Sequence, residues 1–207
     1  MRLRPVDRLY LIADSAGARR PIDRAVAEAV QAGVRLVQLR EKQLPDAQFL
    51  ALAQELRRIT AAHDARLLIN SRTHMAQAVG ADGVHLPGAA SIAEARRLLG
   101  PQALIGYSAH NADELRRAEQ EGADFVTLSP VFPPHSKSSP VPALGLERFA
   151  QLVRSTCLPV YALGGVDPQN ARDCLAAGAF GIAVVGALMS APDIPAVVSR
   201  FLELLGE

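Results

Sequence analysis

The sequence has little cysteine, few aromatic rings and no excess of charge of either sign. Cys157 and Cys174 are its two cysteines. They are too few for a disulfide scaffold and lack a zinc-binding spacing. Aromatic residues make up 4% and tryptophan is absent, while 22 basic residues face 21 acidic ones for a formal net charge of +1. A nucleic-acid-binding surface needs a basic excess and stacking rings, so that class is excluded. No apolar run approaches the roughly 18 residues of a membrane span. The start, Met1-Arg2-Leu3-Arg4-Pro5, is not followed by the apolar stretch and cleavage site of a signal peptide. What is abundant is core material. Hydrophobic residues reach 49% against 21% charged, a balance that excludes wholesale disorder. The expectation is one cytoplasmic globular domain spanning residues 1–207.

Four stretches read alike: Ala32-Gly33-Val34-Arg35-Leu36-Val37, Val79-Gly80-Ala81-Asp82-Gly83-Val84, Glu121-Gly122-Ala123-Asp124-Phe125-Val126 and Ala177-Gly178-Ala179-Phe180-Gly181-Ile182. In each, a helical pattern stops at a glycine suited to a left-handed C-cap, and a short apolar strand follows. Uniformly apolar strands of this kind are expected in a parallel sheet covered on both faces. Strands are expected over 9–13, 34–39, 66–69, 83–86, 104–107, 125–128, 160–163 and 181–185. Helices are expected over 23–31, 46–62, 73–78, 91–99, 111–120, 146–155, 169–176 and 194–205. Ser91 with Glu94 three residues on reads as a capping box. Eight strand–helix units of about 26 residues each fit a single (β/α)8 TIM barrel near the lower size limit of that fold. A doubly wound open sheet is the alternative. The longest connection, Ser129 to Gly145, is rich in proline and serine and is a candidate active-site loop.

In such a barrel the site lies where strands end and helices begin. Gly164 and Gly165 after strand seven, with Val185 and Gly186 after strand eight, form a candidate phosphate cradle of backbone N–H groups. Arg40 and Lys42 lie two apart on extended chain and share a side, so both can meet an anion. Asn70 ends strand three, Ser108 and His110 stand at the end of strand five, and the proline loop carries His135, Ser136 and Lys137.

Six runs in this order, Gln38-Leu39-Arg40-Glu41-Lys42, Ile69-Asn70-Ser71-Arg72, Gly83-Val84-His85-Leu86, Gly106-Tyr107-Ser108-Ala109-His110, Ser129-Pro130-Val131-Phe132-Pro133-Pro134-His135-Ser136-Lys137 and Ala162-Leu163-Gly164-Gly165-Val166, resemble the thiamine phosphate synthase / thiazole tautomerase superfamily over nearly the whole chain. The resemblance implies a (β/α)8 barrel and one of two chemistries. A synthase joins a pyrimidine diphosphate to a thiazole phosphate, expels pyrophosphate and uses Mg²⁺. A tautomerase moves a proton within a thiazole carboxylate phosphate without metal.

In the synthase pattern an aspartate follows the asparagine of strand three, where this chain has Ser71. A second falls where it has Ala90. Mg²⁺ is usually held by one or two carboxylates plus phosphates. The His-Leu-Pro-Gly run also resembles the tautomerase branch. On those residues the expectation is a thiazole tautomerase, an isomerase with no metal and no cofactor. The alternatives are a thiamine phosphate synthase, for which Gln38, Arg40, Lys42 and Lys137 still match the diphosphate-gripping set, and a non-catalytic barrel that binds thiamine-pathway phosphates. By the resemblance, substrate contacts fall to Gln38, Arg40, Lys42, Asn70, Ser108, Ser136 and Lys137, and His110 is the acid/base, a role histidine suits near neutral pH. The expected partner is a small thiazole phosphate. Nucleic acid and membrane are not expected, and a homodimer is left open. His85, inside strand four, reads as a packed, hydrogen-bonded structural histidine.

Overall fold

Eight short strands carry the fold: β1 (Leu9–Ala13), β2 (Leu36–Leu39), β3 (Arg66–Asn70), β4 (Gly83–Leu86), β5 (Leu104–Ala109), β6 (Phe125–Leu128), β7 (Val160–Ala162) and β8 (Gly181–Val184). β1, β2, β4, β6, β7 and β8 are buried along their whole length, as apolar strands sandwiched between a barrel interior and a helical shell must be. The computed structural model describes residues 3–4, 7–133 and 142–206.

All strands pair in parallel with their sequence neighbours, and β1 pairs with β8 through Leu9↔Ile182 and Leu11↔Val184. That last pairing closes the sheet into a (β/α)8 barrel and rules out the open doubly wound alternative. Around it lie α1 (Ile22–Gln31), α2 (Asp46–Ala62), α3 (Thr73–Ala78), α4 (Ile92–Leu99), α5 (Ala112–Glu121), α6 (Gly145–Val153), α7 (Ala171–Ala176), α8 (Gly186–Met189) and α9 (Ile194–Leu205). The caps follow local chemistry. Ser91 accepts from the Glu94 amide at 3.2 Å and Asn111 from the Glu114 amide at 3.0 Å, each meeting one of the N–H groups that a helix start leaves unpaired. Gly122 ends α5 at φ 82°.

Strand alternation divides the buried residues into two sets. Leu11, Val37, Ile69, Val84, Ile105 and Val126 face the helices. Tyr10, Leu36, Leu68, Leu104, Phe125, Tyr161 and Ala183 fill the barrel. At the N-terminal end of the strands, Tyr161 Oη donates to the Asp7 carbonyl at 2.7 Å. The fully buried Asp7 carboxylate lies 3.1 Å from each of Arg4 and Arg66, so this end is plugged and the opposite end is the mouth.

The structure departs from the expected boundaries in two places that matter. β5 runs on through Ala109, which puts Ser108 inside the strand and its side chain in the barrel. Residues Gly186–Met189 form the one-turn helix α8, where a plain loop was expected. Gly-Ala-Leu-Met carries neither a side-chain cap nor enough length for a helical period.

Gly106 shapes the interior. A Cβ there would lie 2.6 Å from His85 Nδ1 and against the Phe125 ring. Gly106→Ala should therefore overpack the barrel and lower stability by about 1–3 kcal/mol. The check is the denaturant midpoint, with the slope unchanged.

Candidate active site

The mouth has two walls of different chemistry. The first is backbone. Gly164 and Gly165 turn the chain after β7 at φ 93° and 64°, values that L side chains rarely adopt. The loop after β6 lies directly on this turn: the Val131 amide donates to Leu163 O at 2.9 Å and the Phe132 amide to Gly164 O at 3.0 Å. A Cβ on Gly165 would sit 2.6 Å from Pro133 O and 2.7 Å from Phe132 Cβ. A side chain at 165 thus collides first with that loop, and glycine is needed there for close loop packing.

Below the turn, Asn170 Nδ2 donates to Gly165 O at 2.9 Å, Asn170 Oδ1 accepts from the Asp167 amide at 2.9 Å, and Asp167 Oδ1 accepts from the Gln169 amide at 2.8 Å. These bonds clamp the turn to the start of α7. Across from it, Val185 leads into α8, whose first amides, Gly186 and Ala187, precede the first intrahelical bond, Leu188 N to Val185 O at 3.2 Å. Gly165, Val185, Gly186, Ala187 and Ser190 line a cavity of about 350 Å³. Among the described residues the Gly165, Gly186 and Ala187 amides have no hydrogen-bond acceptor. N–H groups left open at a helix start are a ready anion site.

The second wall is made of side chains. Arg40 pairs with Asp14 in a close ion pair. The Glu41 carboxylate accepts from the Ser15 amide at 2.6 Å. Lys42 is exposed. Gln38 was grouped with these cations in the sequence, but it is only 1% exposed and lies inside the barrel, where its Nε2 donates to Tyr10 Oη at 2.7 Å. Tyr10 Oη lies 3.2 Å from His85 Nδ1, and His85 Nε2 lies 3.0 Å from Ser108 Oγ and 3.3 Å from Thr127 Oγ1. Burial, with a smaller push from the Arg40 charge, drives the His85 pKa down to about 3, so this imidazole is neutral. Asn70 ends β3 and its Nδ2 donates to Ser71 Oγ at 2.9 Å.

His110 stands on the rim, exposed. Its Nδ1 is 2.6 Å from Ser129 O and its amide donates to Glu114 Oε2 at 2.6 Å. A carbonyl only accepts, so Nδ1 is the donor there, and among the described residues Nε2 has no hydrogen-bond partner. Ser136 and Lys137 lie outside the described residues, as does His135. The structure thus places Gln38, Arg40, Lys42, Asn70, Ser108, His110, Gly164, Gly165, Val185 and Gly186 around one barrel end. Sequence reasoning did not pick out Tyr10 or the Ala187 amide. It also passed over a compositional signal: of the 22 basic residues only Lys42 and Lys137 are lysines, and Lys42 follows β2 at the mouth.

The donors near Ser71 bear on the Mg²⁺ that a synthase resemblance implies. Ser71 holds a left-handed backbone at φ 62°. Ser71, Thr73, His74, Ala89, Ala90, Ser91 and Glu94 surround the space between α3 and α4. Glu94 is the one carboxylate of that group. The described residues contain no cluster of three or more His, Cys, Asp or Glu able to hold a metal, and residues 134–141 contain no acid. Around the rest of the mouth, Asp14 is taken by Arg40, Glu41 by the Ser15 amide, Glu114 by the His110 amide and Asp167 by the α7 cap. Hydroxyls and amides without carboxylate charge do not fit a protein-held Mg²⁺.

Fold and cradle together define a (β/α)8 barrel with a candidate anion site at its mouth. The chain belongs to the family described as thiamine monophosphate synthase, whose model matches residues 9–188. A thiamine-phosphate synthase of Albidiferax ferrireducens is 43% identical over 201 residues, covering 96% of this chain and 91% of that protein. One of Methanospirillum hungatei is 38% identical over 199 residues, covering 95% and 97%. The solved thiamine phosphate pyrophosphorylase of Pyrococcus furiosus superposes with a TM-score of 0.87 at 32% identity, covering 98% of this chain and 96% of that one.

These similarities overturn the expectation of a thiazole tautomerase, an isomerase, which rested on Ser71 and Ala90. The physical reason is that two missing carboxylates describe how a metal is held. They do not specify which bond is made. Members of this family act on small phosphorylated substrates, and among the described residues no helix is long and apolar enough to cross a membrane.

The donor set makes a direct prediction. Mn²⁺ added to the protein alone should show no protein-bound signal by electron paramagnetic resonance, and S71D/A90D should create one. Tight Mn²⁺ binding by the unaltered chain would mean that other residues supply the ligands.

Proposed function

We propose that this chain, acting as one domain over residues 1–207, is a thiamine phosphate synthase of the cytoplasm. In this reading the ring nitrogen of a thiazole phosphate attacks the methylene carbon of a pyrimidine diphosphate. One C–N bond forms, one C–O bond breaks, and pyrophosphate leaves with the bonding pair. The observation that carries the reading is the pair of anion sites at one mouth: a backbone cradle at β7 and β8, and cationic side chains after β2. Two separately phosphorylated substrates need two such places.

The cradle of Gly165, Val185 and Gly186, with Ala187, takes the thiazole phosphate. Its amides offer fixed donors and its carbon surface suits an uncharged ring. Arg40 and Lys42, joined by Ser136 and Lys137 of the loop after β6, take the diphosphate, whose negative charge grows as it departs. Cations aimed at developing charge lower the barrier directly. Arg40 keeps Asp14 as counter-ion, so Lys42 is the less compensated charge. A flexible ammonium also follows a moving phosphate better than a fork geometry does. Asn70 and Ser108 face the pyrimidine. No proton moves in the bond-forming step, so His110 has no acid/base duty here. We assign it to the rim, where its open Nε2 accepts a hydrogen bond from substrate.

The first test supplies pyrimidine diphosphate and thiazole phosphate, with and without Mg²⁺, and measures products. Thiamine phosphate and pyrophosphate should appear in equal amounts. Their absence in both conditions would sink the assignment.

Two variants separate the walls. Gly186 has no atom within 4 Å of a built Cβ, so Gly186→Val should fold normally and raise KM for thiazole phosphate by roughly tenfold, through lost access to the cradle amides. His110→Ala should lower kcat by less than the roughly 10²-fold that marks the loss of a general acid/base. A larger loss would restore proton transfer to the step. Because the chain has two lysines, an amine-reactive label reports on them alone besides the N-terminus, and pyrophosphate should protect Lys42.

A further inference from the structure

Hydrogen bonds in a buried chain are directional, because each hydroxyl has one proton and each neutral imidazole one N–H. The chain here runs from Gln38 through Tyr10 and His85 to Ser108. Gln38 Nε2 is a donor only, and it points at Tyr10 Oη from 2.7 Å. Tyr10 Oη therefore accepts from Gln38 and spends its own proton on its other neighbour, His85 Nδ1 at 3.2 Å. A fully buried phenol keeps that proton, its pKa raised well above the ordinary value by desolvation. Nδ1 is then the acceptor nitrogen, which leaves the ring proton on Nε2. That N–H faces Ser108 Oγ at 3.0 Å, with Thr127 Oγ1 slightly farther at 3.3 Å. Ser108 Oγ accepts, and its own proton is left over. Among the described residues Ser108 Oγ has no partner besides His85. Ser108 is the half-buried member of the chain, whereas Tyr10, Gln38 and His85 are buried.

We propose that Tyr10 and His85 are positioning residues that hold the Ser108 hydroxyl as a hydrogen-bond donor into the barrel mouth, so that it recognises an unprotonated ring nitrogen of the substrate. The preference is for an acceptor at that point of the ring over an N–H. This rests on the synthase reading, in which a pyrimidine ring occupies the mouth. The surroundings support the direction. Gly106 leaves the space that the His85 ring fills. Phe125 and Tyr10 flank that ring at centroid distances of 5.7 and 5.8 Å, and a ring flip would put carbons in place of both bonded nitrogens, so the two hydroxyls fix its orientation. A satisfied buried network of this kind orients its end group at no cost when substrate arrives.

Nitrogen NMR on the full-length protein reads the arrangement without turnover. His85 should show a proton on Nε2 and a bare, pyridine-type Nδ1, with no titration across the neutral range. A proton on Nδ1 would reverse the chain, turn Ser108 into an acceptor and overturn the proposal, whatever the protein catalyses.

Kinetics supply the second arm. Tyr10→Phe removes the hydroxyl that holds Nδ1 as acceptor and keeps the ring. It should raise KM for the pyrimidine diphosphate by roughly three- to tenfold and leave KM for thiazole phosphate unchanged. Ser108→Ala should cost less in the Tyr10→Phe background than in the native one. Additive losses in that cycle would mean that Tyr10 serves packing alone. If the NMR result holds and no thiamine phosphate forms, the synthase reading fails and the donor assignment stands.

Discussion

Closure of eight short strands into one barrel is the constraint on which the rest of this structure depends. Once β1 pairs with β8, the interior has a fixed volume that must be filled without voids. Tyr10, Phe125 and Tyr161 fill much of it, with ring centroids 5.2–5.6 Å apart. Gly106 leaves a gap beside them, and a histidine occupies it. A buried imidazole must be hydrogen-bonded at both nitrogens or pay for its desolvation. The partners it finds, a tyrosine on the inner side and a serine on the outer, join the packed core to the mouth. No buried side-chain polar atom lacks a partner among the described residues. The barrel interior is thus core and polar scaffold together, and the orientation of a mouth residue follows from how the core is packed.

The two walls of the mouth use different physics for the same kind of ligand. At β7 and β8 the donors are backbone amides. They are placed by glycine turns and by the Asp167–Asn170 clamp. They neither titrate nor change rotamer, so they suit a phosphate that stays bound through a reaction. After β2 the donors are long cationic side chains, which suit an anion that must leave. The loop after β6 is held to the cradle turn through its bonds to Leu163 O and Gly164 O, and to His110 through Ser129 O.

Most of the fold was legible because parallel strands and amphipathic helices leave strong local patterns. The glycine that ends a helix before an apolar strand recurs at Gly33, Gly80, Gly122 and Gly178, and each of the four takes positive φ. What was not legible depended on length or on distance. α8 is one turn long and carries no period. The extra residues of β5 show only against the neighbouring strand. Of the candidate site, the positions of the rim residues and of the glycine turn followed from their places after strands. The chain from Tyr10 to Ser108 was not, since its members come from β1, β2, β4 and β5 and meet only inside the closed barrel. The depth of Gln38, which the resemblance groups with Arg40 and Lys42, was not legible for the same reason. The sequence does not show how deep along the strand the mouth begins. The choice between two chemistries was also beyond the motif. It turned on Ser71 and Ala90, which speak to metal retention.

That distinction has a basis in charge balance. A carboxylate cage placed at a mouth meant for diphosphate repels the ligand until a cation is bound, so such a site works only when loaded. In this chain the carboxylates of Asp14, Glu41, Glu114 and Asp167 are each engaged with a guanidinium or with backbone amides. At the mouth the uncompensated groups are amides and lysine. Under the proposed synthase reading, such a mouth would take a diphosphate together with the counter-ion it carries, since a ligand's own oxygens can supply most of a hard cation's shell. On the proposed reading, a chain with Ser71 and Ala90 in place of carboxylates would leave the metal to be held by the substrate. Neither Ser71 nor Ala90 contributes to the turn after β7 or to the cations after β2, so the arrangement of both walls does not depend on whether those two positions carry acids.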